Sequence, residues 1–183
     1  MINMNIDVFT LIKPEMNKLR KVGIKSANLD CRLLLSKSLD TDKTLYNHQN
    51  INISENEIKK FQCLVKQRLN GKPISRIINK RDFWKHEFKL NEETLDPRPD
   101  SETLIDSVLE HFKNKSKYLK ILDLGSGSGC LGLSLLDEYQ NSEVSFFDTS
   151  KKSLEVVKIN ALNHGVFDRS KFVHLDWGVK GWD

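Results

Sequence analysis

Lys120-Ile121-Leu122-Asp123-Leu124-Gly125-Ser126-Gly127-Ser128-Gly129 is the stretch on which the fold turns. Its first five residues are short and mostly apolar, the pattern of a buried strand. Three glycines then alternate with serines, and an apolar helix follows over Leu131 to Tyr139. A glycine turn that leaves a strand and opens a helix lets a ligand come close to the backbone, because three Cβ atoms are missing from that surface.

Downstream the same alternation repeats. Val144, Phe146 and Phe147 predict a second strand that ends at Asp148. Ser150 can cap a helix with Leu154, Val157, Ile159 and Leu162 in its apolar positions. Phe172-Val173-His174-Leu175 predicts a third strand, ending at Asp176-Trp177. A β-α-β-α-β order implies an α/β domain with a parallel sheet and right-handed crossovers.

The ligand follows from the loop's spacing. A dinucleotide fingerprint reads G-x-G-x-x-G and holds a pyrophosphate on the helix N-terminus. Here the spacing is G-x-G-x-G, with Cys130 at the sixth position. That fits a ligand with no phosphates but with an amino-acid part to cradle, such as S-adenosylmethionine; a purely structural glycine turn is the plainer alternative. Asp148 lies where a carboxylate meets two ribose hydroxyls; the plainer alternative is an aspartate that caps a helix before Thr149-Ser150. At Asp176-Trp177 an indole could pack on an adenine and the carboxylate accept from its amine, or the pair could be ordinary edge packing. The candidate cofactor residues are Gly125, Ser126, Gly127, Ser128, Gly129, Asp148, Asp176 and Trp177.

Upstream the texture is helical. Val8, Leu11, Ile12, Met16, Leu19 and Val22 share one helical face, interrupted by Pro14 and stopped at Gly23. A second helix is expected over Ser26 to Ser38 with Leu29, Leu33, Leu34 and Leu35 inward, and a short third element over Thr41 to His48. Ser54-Glu55-Asn56-Glu57 is a capping box that opens a helix through Phe61, Leu64, Val65 and Leu69. Residues 1–72 therefore read as a small bundle of four helices without strands. Residues 73–100 read as a hairpin linker: a strand from Asp82 to Leu90, a turn at Asn91-Glu92-Glu93 and a return at Thr94-Leu95. Pro97-Arg98-Pro99 cannot lie inside a helix, and Asp100 or Ser101 can cap the next one. Residues 101–183 form the α/β part.

Composition narrows the partners. The 183 residues carry 29 Lys and Arg against 25 Asp and Glu, a net charge of +4 with no dense basic stripe, so direct nucleic-acid binding is not expected. Cys31, Cys63 and Cys130 are far apart, and the five histidines are scattered. Neither a disulfide framework nor a metal site is expected, which favours the cytoplasm. No apolar run is long enough to span a membrane.

Several segments together resemble the family of protein-(glutamine-N5) methyltransferases that modify peptide chain release factors. Asn28 to Leu35 resembles the family's second N-terminal helix, and Gly71-Lys72-Pro73-Ile74 with Arg81-Asp82-Phe83-Trp84 its interdomain hairpin. Leu95 to Glu102 resembles its Pro-Arg-Pro segment, with Asp96 in place of a usual aliphatic residue and Ser101 in place of a usual threonine. Ile121 to Gly129 resembles its cofactor loop and Asp176-Trp177 its Asp-Trp pair. The resemblance implies a helical domain that recognises the release factor and the first half of a Rossmann-like domain that binds S-adenosylmethionine. It implies methyl transfer to the side-chain amide of a glutamine in a Gly-Gly-Gln loop, with Arg98 and Pro99 in the substrate segment.

The family's Asn-Pro-Pro-Tyr motif has no counterpart here, since proline occurs only at 14, 73, 97 and 99. No catalytic residue is therefore assigned. The expectation is a truncated product, a deliberately shortened fragment or one piece of a split enzyme, with methyl transfer by the chain alone improbable. The competing readings are a non-catalytic module that binds a release factor or a nucleoside, and a methyltransferase acting on another protein.

Overall fold

The computed structural model describes residues 3–176 and 178. Its packing divides the chain into two compact units, residues 1–78 and 79–183. None of the described helices is long and apolar enough to cross a membrane.

The first unit runs β1 (Asn3–Asp7), α1 (Val8–Lys21), α2 (Ala27–Ser38), β2 (Asn50–Ser54), α3 (Glu55–Leu69) and α4 (Ile74–Ile78). Asp7 caps α1 by accepting from the Thr10 N–H at 2.9 Å. Val8, Ile12, Met16 and Leu19 form its buried stripe, while Val22 lies beyond the helix and is exposed. The capping box is formed as the sequence predicts: Ser54 N–H donates to Glu57 at 2.7 Å, and Glu57 N–H donates back to Ser54 Oγ at 3.4 Å.

This unit departs from a strandless bundle. β1 pairs antiparallel with β2, in register Met4 to Ile53 and Ile6 to Ile51. The ladder places the side chains of Ile51 and Ile53 in the helical core, and period-two alternation in Asn50-Ile51-Asn52-Ile53 supplies the local pattern. The buried face of α2 is Ala27, Cys31, Leu34 and Leu35, and Leu29 turns to solvent at 50% exposure. Asp30 takes an inward position instead, because Arg68 of α3 donates to its carboxylate at 2.7 Å. Thr41 to His48 is irregular, not helical. Leu45 anchors it in the core, and the Arg32 guanidinium donates to the Leu45 carbonyl.

The second unit runs β3 (Lys80–Phe83), β4 (His86–Lys89), a 3₁₀ turn (Pro99–Ser101), α5 (Glu102–His111), β5 (Lys120–Leu124), α6 (Cys130–Glu138), β6 (Glu143–Asp148), α7 (Lys151–Asn163), a second 3₁₀ turn (Phe167–Arg169) and β7 (Ser170–His174). The last three strands form a parallel sheet in the order β5-β6-β7, as the sequence predicts. Leu133, Leu136, Tyr139, Val144, Phe146 and Val157 build its core. Ile159 and Leu162, expected in the apolar stripe of α7, are exposed. The stripe is Leu154, Val157 and Ala161, and fully buried Asn160 sits beside it.

The hairpin is tighter than the sequence predicts. Its turn is Trp84-Lys85, between β3 and β4, not Asn91-Glu92-Glu93. Trp84 takes a left-handed φ of 54° there. Two carboxylates hold it: Glu102 accepts from the Trp84 backbone N–H at 2.9 Å, and Glu138 from its indole N–H at 3.0 Å. Residues 91–94 form a separate turn closed by Asn91 and Thr94. The hairpin therefore packs within the second unit and α4 within the first, whereas the sequence reading made 73–100 a linker.

Candidate functional site

The glycine loop joins β5 to α6. Gly125, Gly127 and Gly129 all adopt left-handed backbone, with φ of 78°, 53° and 77°. An L side chain costs roughly 1–2 kcal/mol at each such position, so the turn needs its glycines. A Cβ on Gly129 would also stand 2.7 Å from Val157 Cγ1 of α7. A Cβ on Gly127 would meet nothing closer than the Leu95 nitrogen at 3.9 Å. Gly129 is thus glycine partly for packing, while Gly127 keeps an open face.

Backbone hydrogen bonds hang the loop from β6. The N–H groups of Gly125 and Ser126 both donate to the Phe147 carbonyl at 2.9 Å. The Gly127 N–H donates to Asp148 Oδ2 at 2.8 Å, and the Ser150 N–H donates to Asp148 Oδ1 at 2.8 Å. The cap of α7 is Ser150, whose hydroxyl accepts from the Ser153 N–H at 3.2 Å, so Asp148 is not the capping residue itself. It accepts from the Ser150 N–H just before the helix and stands against the glycine loop. A carboxylate has about four acceptor sites, and these two hydrogen bonds occupy two of them.

Three further features bear on the loop, and the sequence singles out only Ser126 among them. Asn160 donates to the Ser128 carbonyl at 2.9 Å and to the Lys89 carbonyl at 3.1 Å, and it accepts from the Lys89 N–H at 2.9 Å. It ties the loop to the end of β4. Ser126 Oγ is buried without a hydrogen-bond partner among the described residues. A native buried hydroxyl usually has a partner, so an unpaired one inside a glycine loop fits a site shaped for a ligand. Asp123, at the strand's end, accepts from the Gly132 N–H at 3.1 Å. Burial pushes its carboxyl up to about 6, the Gly132 hydrogen bond opposes this, and the negative Asp148 adds to it.

The other candidates are placed less closely. Asp176 is exposed and accepts from the Gly178 N–H at 2.8 Å. The Leu175 N–H, just before it, donates to the Asp148 carbonyl at 3.1 Å, which keeps this segment at the same sheet edge. Trp177 lies outside the described residues. Arg98 and Pro99 are exposed where the first 3₁₀ turn begins, and no described hydrogen bond joins them to the loop. Among the described residues, no group of three or more His, Cys, Asp or Glu side chains is placed to hold a metal ion.

Residues 16–78 match the PrmC N-terminal domain, and residues 99–178 match the methyltransferase small domain. The chain is similar to the bifunctional methyltransferase of Rickettsia bellii, at 32% identity over 186 residues, covering 87% of this chain and 34% of that protein. It is similar to the release factor glutamine methyltransferase of Bradyrhizobium diazoefficiens, at 35% identity over 159 residues, covering 85% of this chain and 54% of that protein. The chain thus spans between a third and somewhat over half of these relatives' length. A crystal structure of a SAM-dependent methyltransferase from Geobacter sulfurreducens with S-adenosyl-L-homocysteine aligns at a TM-score of 0.36 and 28% identity, over 43% of this chain and 30% of that one. The chain is thus similar to the PrmC N-terminal domain in its first unit, to the methyltransferase small domain in its second, and to proteins named release factor glutamine methyltransferase over most of its length.

Proposed function

We propose that the second unit binds S-adenosylmethionine at the glycine loop, as the cofactor half of a methyltransferase acting on peptide chain release factors in the cytoplasm. The observation that carries this reading is the pairing of Gly127, with its open left-handed face, and Asp148 at 2.8 Å. Asp148 accepts the ribose hydroxyls, and the loop from Gly125 to Gly129 cradles the methionine part. Ser126 Oγ gains the partner it lacks. S-adenosylmethionine supplies an electrophilic methyl group when bound, and the chain's own residues bind and orient it.

The substrate reading rests on the first unit's match to the PrmC N-terminal domain and on the names of the relatives. The acceptor is the side-chain amide of the glutamine in a Gly-Gly-Gln loop, and the first unit with the Arg98-Pro99 segment engages the release factor. An amide nitrogen is a poor nucleophile, so positioning must supply much of the rate. Calorimetric titration of the 183-residue chain with S-adenosylmethionine and, separately, NAD tests the cofactor reading. Saturable binding of the first alone is expected, and binding of NAD alone would overturn it. Incubation of the chain with a release factor and labelled S-adenosylmethionine reads out the transfer itself.

A further inference from the structure

Asp123 stands where strand, helix and loop meet. It is the fourth residue of β5, two before Gly125, and its Oδ2 accepts from the N–H of Gly132 in the first turn of α6. The bond spans the glycine loop and fixes the distance between the loop's two ends. The seat is tight. A Cβ on Gly132 would lie 2.9 Å from Asp123 Oδ2, 2.5 Å from Phe146 and 2.9 Å from Val144. The start of α6 therefore rests directly on β5 and β6 with no side chain between them. Resting on the cofactor reading above, we propose that Asp123 is a positioning residue, a strut whose carboxylate sets the presentation of the Gly125–Gly129 loop, so that cofactor affinity follows its ionisation.

A hydrogen bond from a backbone N–H to a carboxylate is about twice as strong as one to a neutral acceptor. Ionised, Asp123 holds the start of α6 firmly; protonated, it holds it less. The surroundings place this change within reach of ordinary pH. From β6, Asp148 contributes a like charge. From α6, the nearby titratable group is the Cys130 thiol, which burial keeps protonated, with the Asp123 charge adding to the effect. From α5, the neighbouring side chains are the apolar Leu104, Ile105 and Val108, which line a shared groove with Asp123. No cation from these elements neutralises the carboxyl in the interactions described.

The test uses the 183-residue chain and its Asp123→Asn variant, which keeps an acceptor for Gly132 but cannot ionise. The backbone amide of Gly132 is followed by NMR from pH 4.5 to 7.5, and S-adenosylmethionine affinity is measured by calorimetry at pH 5.0 and 7.0. In the native chain the amide is expected to titrate, with affinity about three- to tenfold weaker at pH 5.0. In Asp123→Asn both responses should flatten. A Gly132 amide that does not titrate, or an affinity change of equal size in the variant, overturns the proposal. If the native chain binds no S-adenosylmethionine at either pH, the cofactor reading fails. The strut then stands or falls on whether the Gly127 and Gly129 amides titrate together with that of Gly132.

Discussion

Asn160 grips Lys89 by both backbone groups, accepting from its N–H at 2.9 Å and donating to its carbonyl at 3.1 Å, while also donating to Ser128. One fully buried amide thus serves the end of β4 and the glycine loop together. Asn160→Ala leaves an N–H and two carbonyls without this partner. Each buried unpaired group costs about 1–3 kcal/mol, and the expected loss of unfolding free energy is about 3 kcal/mol by denaturant titration. Asn160→Asp should rescue little, because a carboxylate cannot donate to the two carbonyls. A loss below about 1 kcal/mol in the alanine variant would show that the clasp is dispensable.

The glycines of the loop separate packing from ligand approach. Gly129→Ala incurs both the left-handed strain and the clash with Val157. A loss of about 2–4 kcal/mol is expected, combining backbone strain with overpacking. Gly127→Ala incurs the strain alone, roughly 1–2 kcal/mol, because its Cβ has room. Thermal melts should rank the two in that order. Cofactor titration should show Gly127→Ala losing affinity at least tenfold, since its methyl occupies the open face.

Glu138 has the opposite electrostatic character to Asp123. Burial works against its charge, but hydrogen bonds from Lys115, Lys85 and the Trp84 indole outweigh burial and hold its carboxyl down at about 2. A carboxyl whose folded pKa is depressed stabilises the fold above its unfolded value. That contribution disappears as pH falls from about 4.5 to about 2. The two lysines are more than half exposed, so screening reduces its size. A contribution on the order of 2 kcal/mol is expected. Glu138→Gln should lower stability at pH 7 by about that amount and flatten the acid limb of the stability profile.

Asp123 shifts stability the other way. Its folded value is raised, so its contribution is complete below about 4 and is lost as pH rises through about 6. Asp123→Asn should therefore gain stability relative to the native chain between pH 4 and pH 7. The upper bound is about 3 kcal/mol, from about two units at 1.36 kcal/mol each. Denaturant midpoints measured in parallel at these two pH values check the sign. Equal differences at both would rule out the raised carboxyl.

What could be read from the sequence was whatever depends on near neighbours. The strand before Gly125, the three left-handed glycines, the Ser54 capping box and the β-α-β-α-β order are local patterns, and the fold has them where the residues imply. What was missed depends on partners far along the chain. β1 and β2 pair residues about fifty positions apart, although Ile51 and Ile53 alternate as a strand should. Trp84 in a left-handed turn violates the preference for glycine there, and only Glu102 and Glu138 make sense of it. Asn160 looks like a polar interruption in an amphipathic helix until Lys89 and Ser128 are seen beside it. Asp148 lay between the two: its position was legible, but its simultaneous grip on Gly127 and Ser150 was not.

The cysteines have a practical consequence for labelling chemistry. Cys31 is enclosed in the first unit, where burial, with Asp30 and Glu15 nearby, pushes its thiol up to about 12. Cys130, beside the glycine loop, is pushed up to about 11, chiefly by burial. Alkylating reagents attack the thiolate, so both are silent at neutral pH. Cys63 on α3 is exposed. A maleimide dye will therefore mark the native chain at a single place on its first unit without any mutagenesis. A site for a fluorescent reporter on the first unit is already written into the sequence.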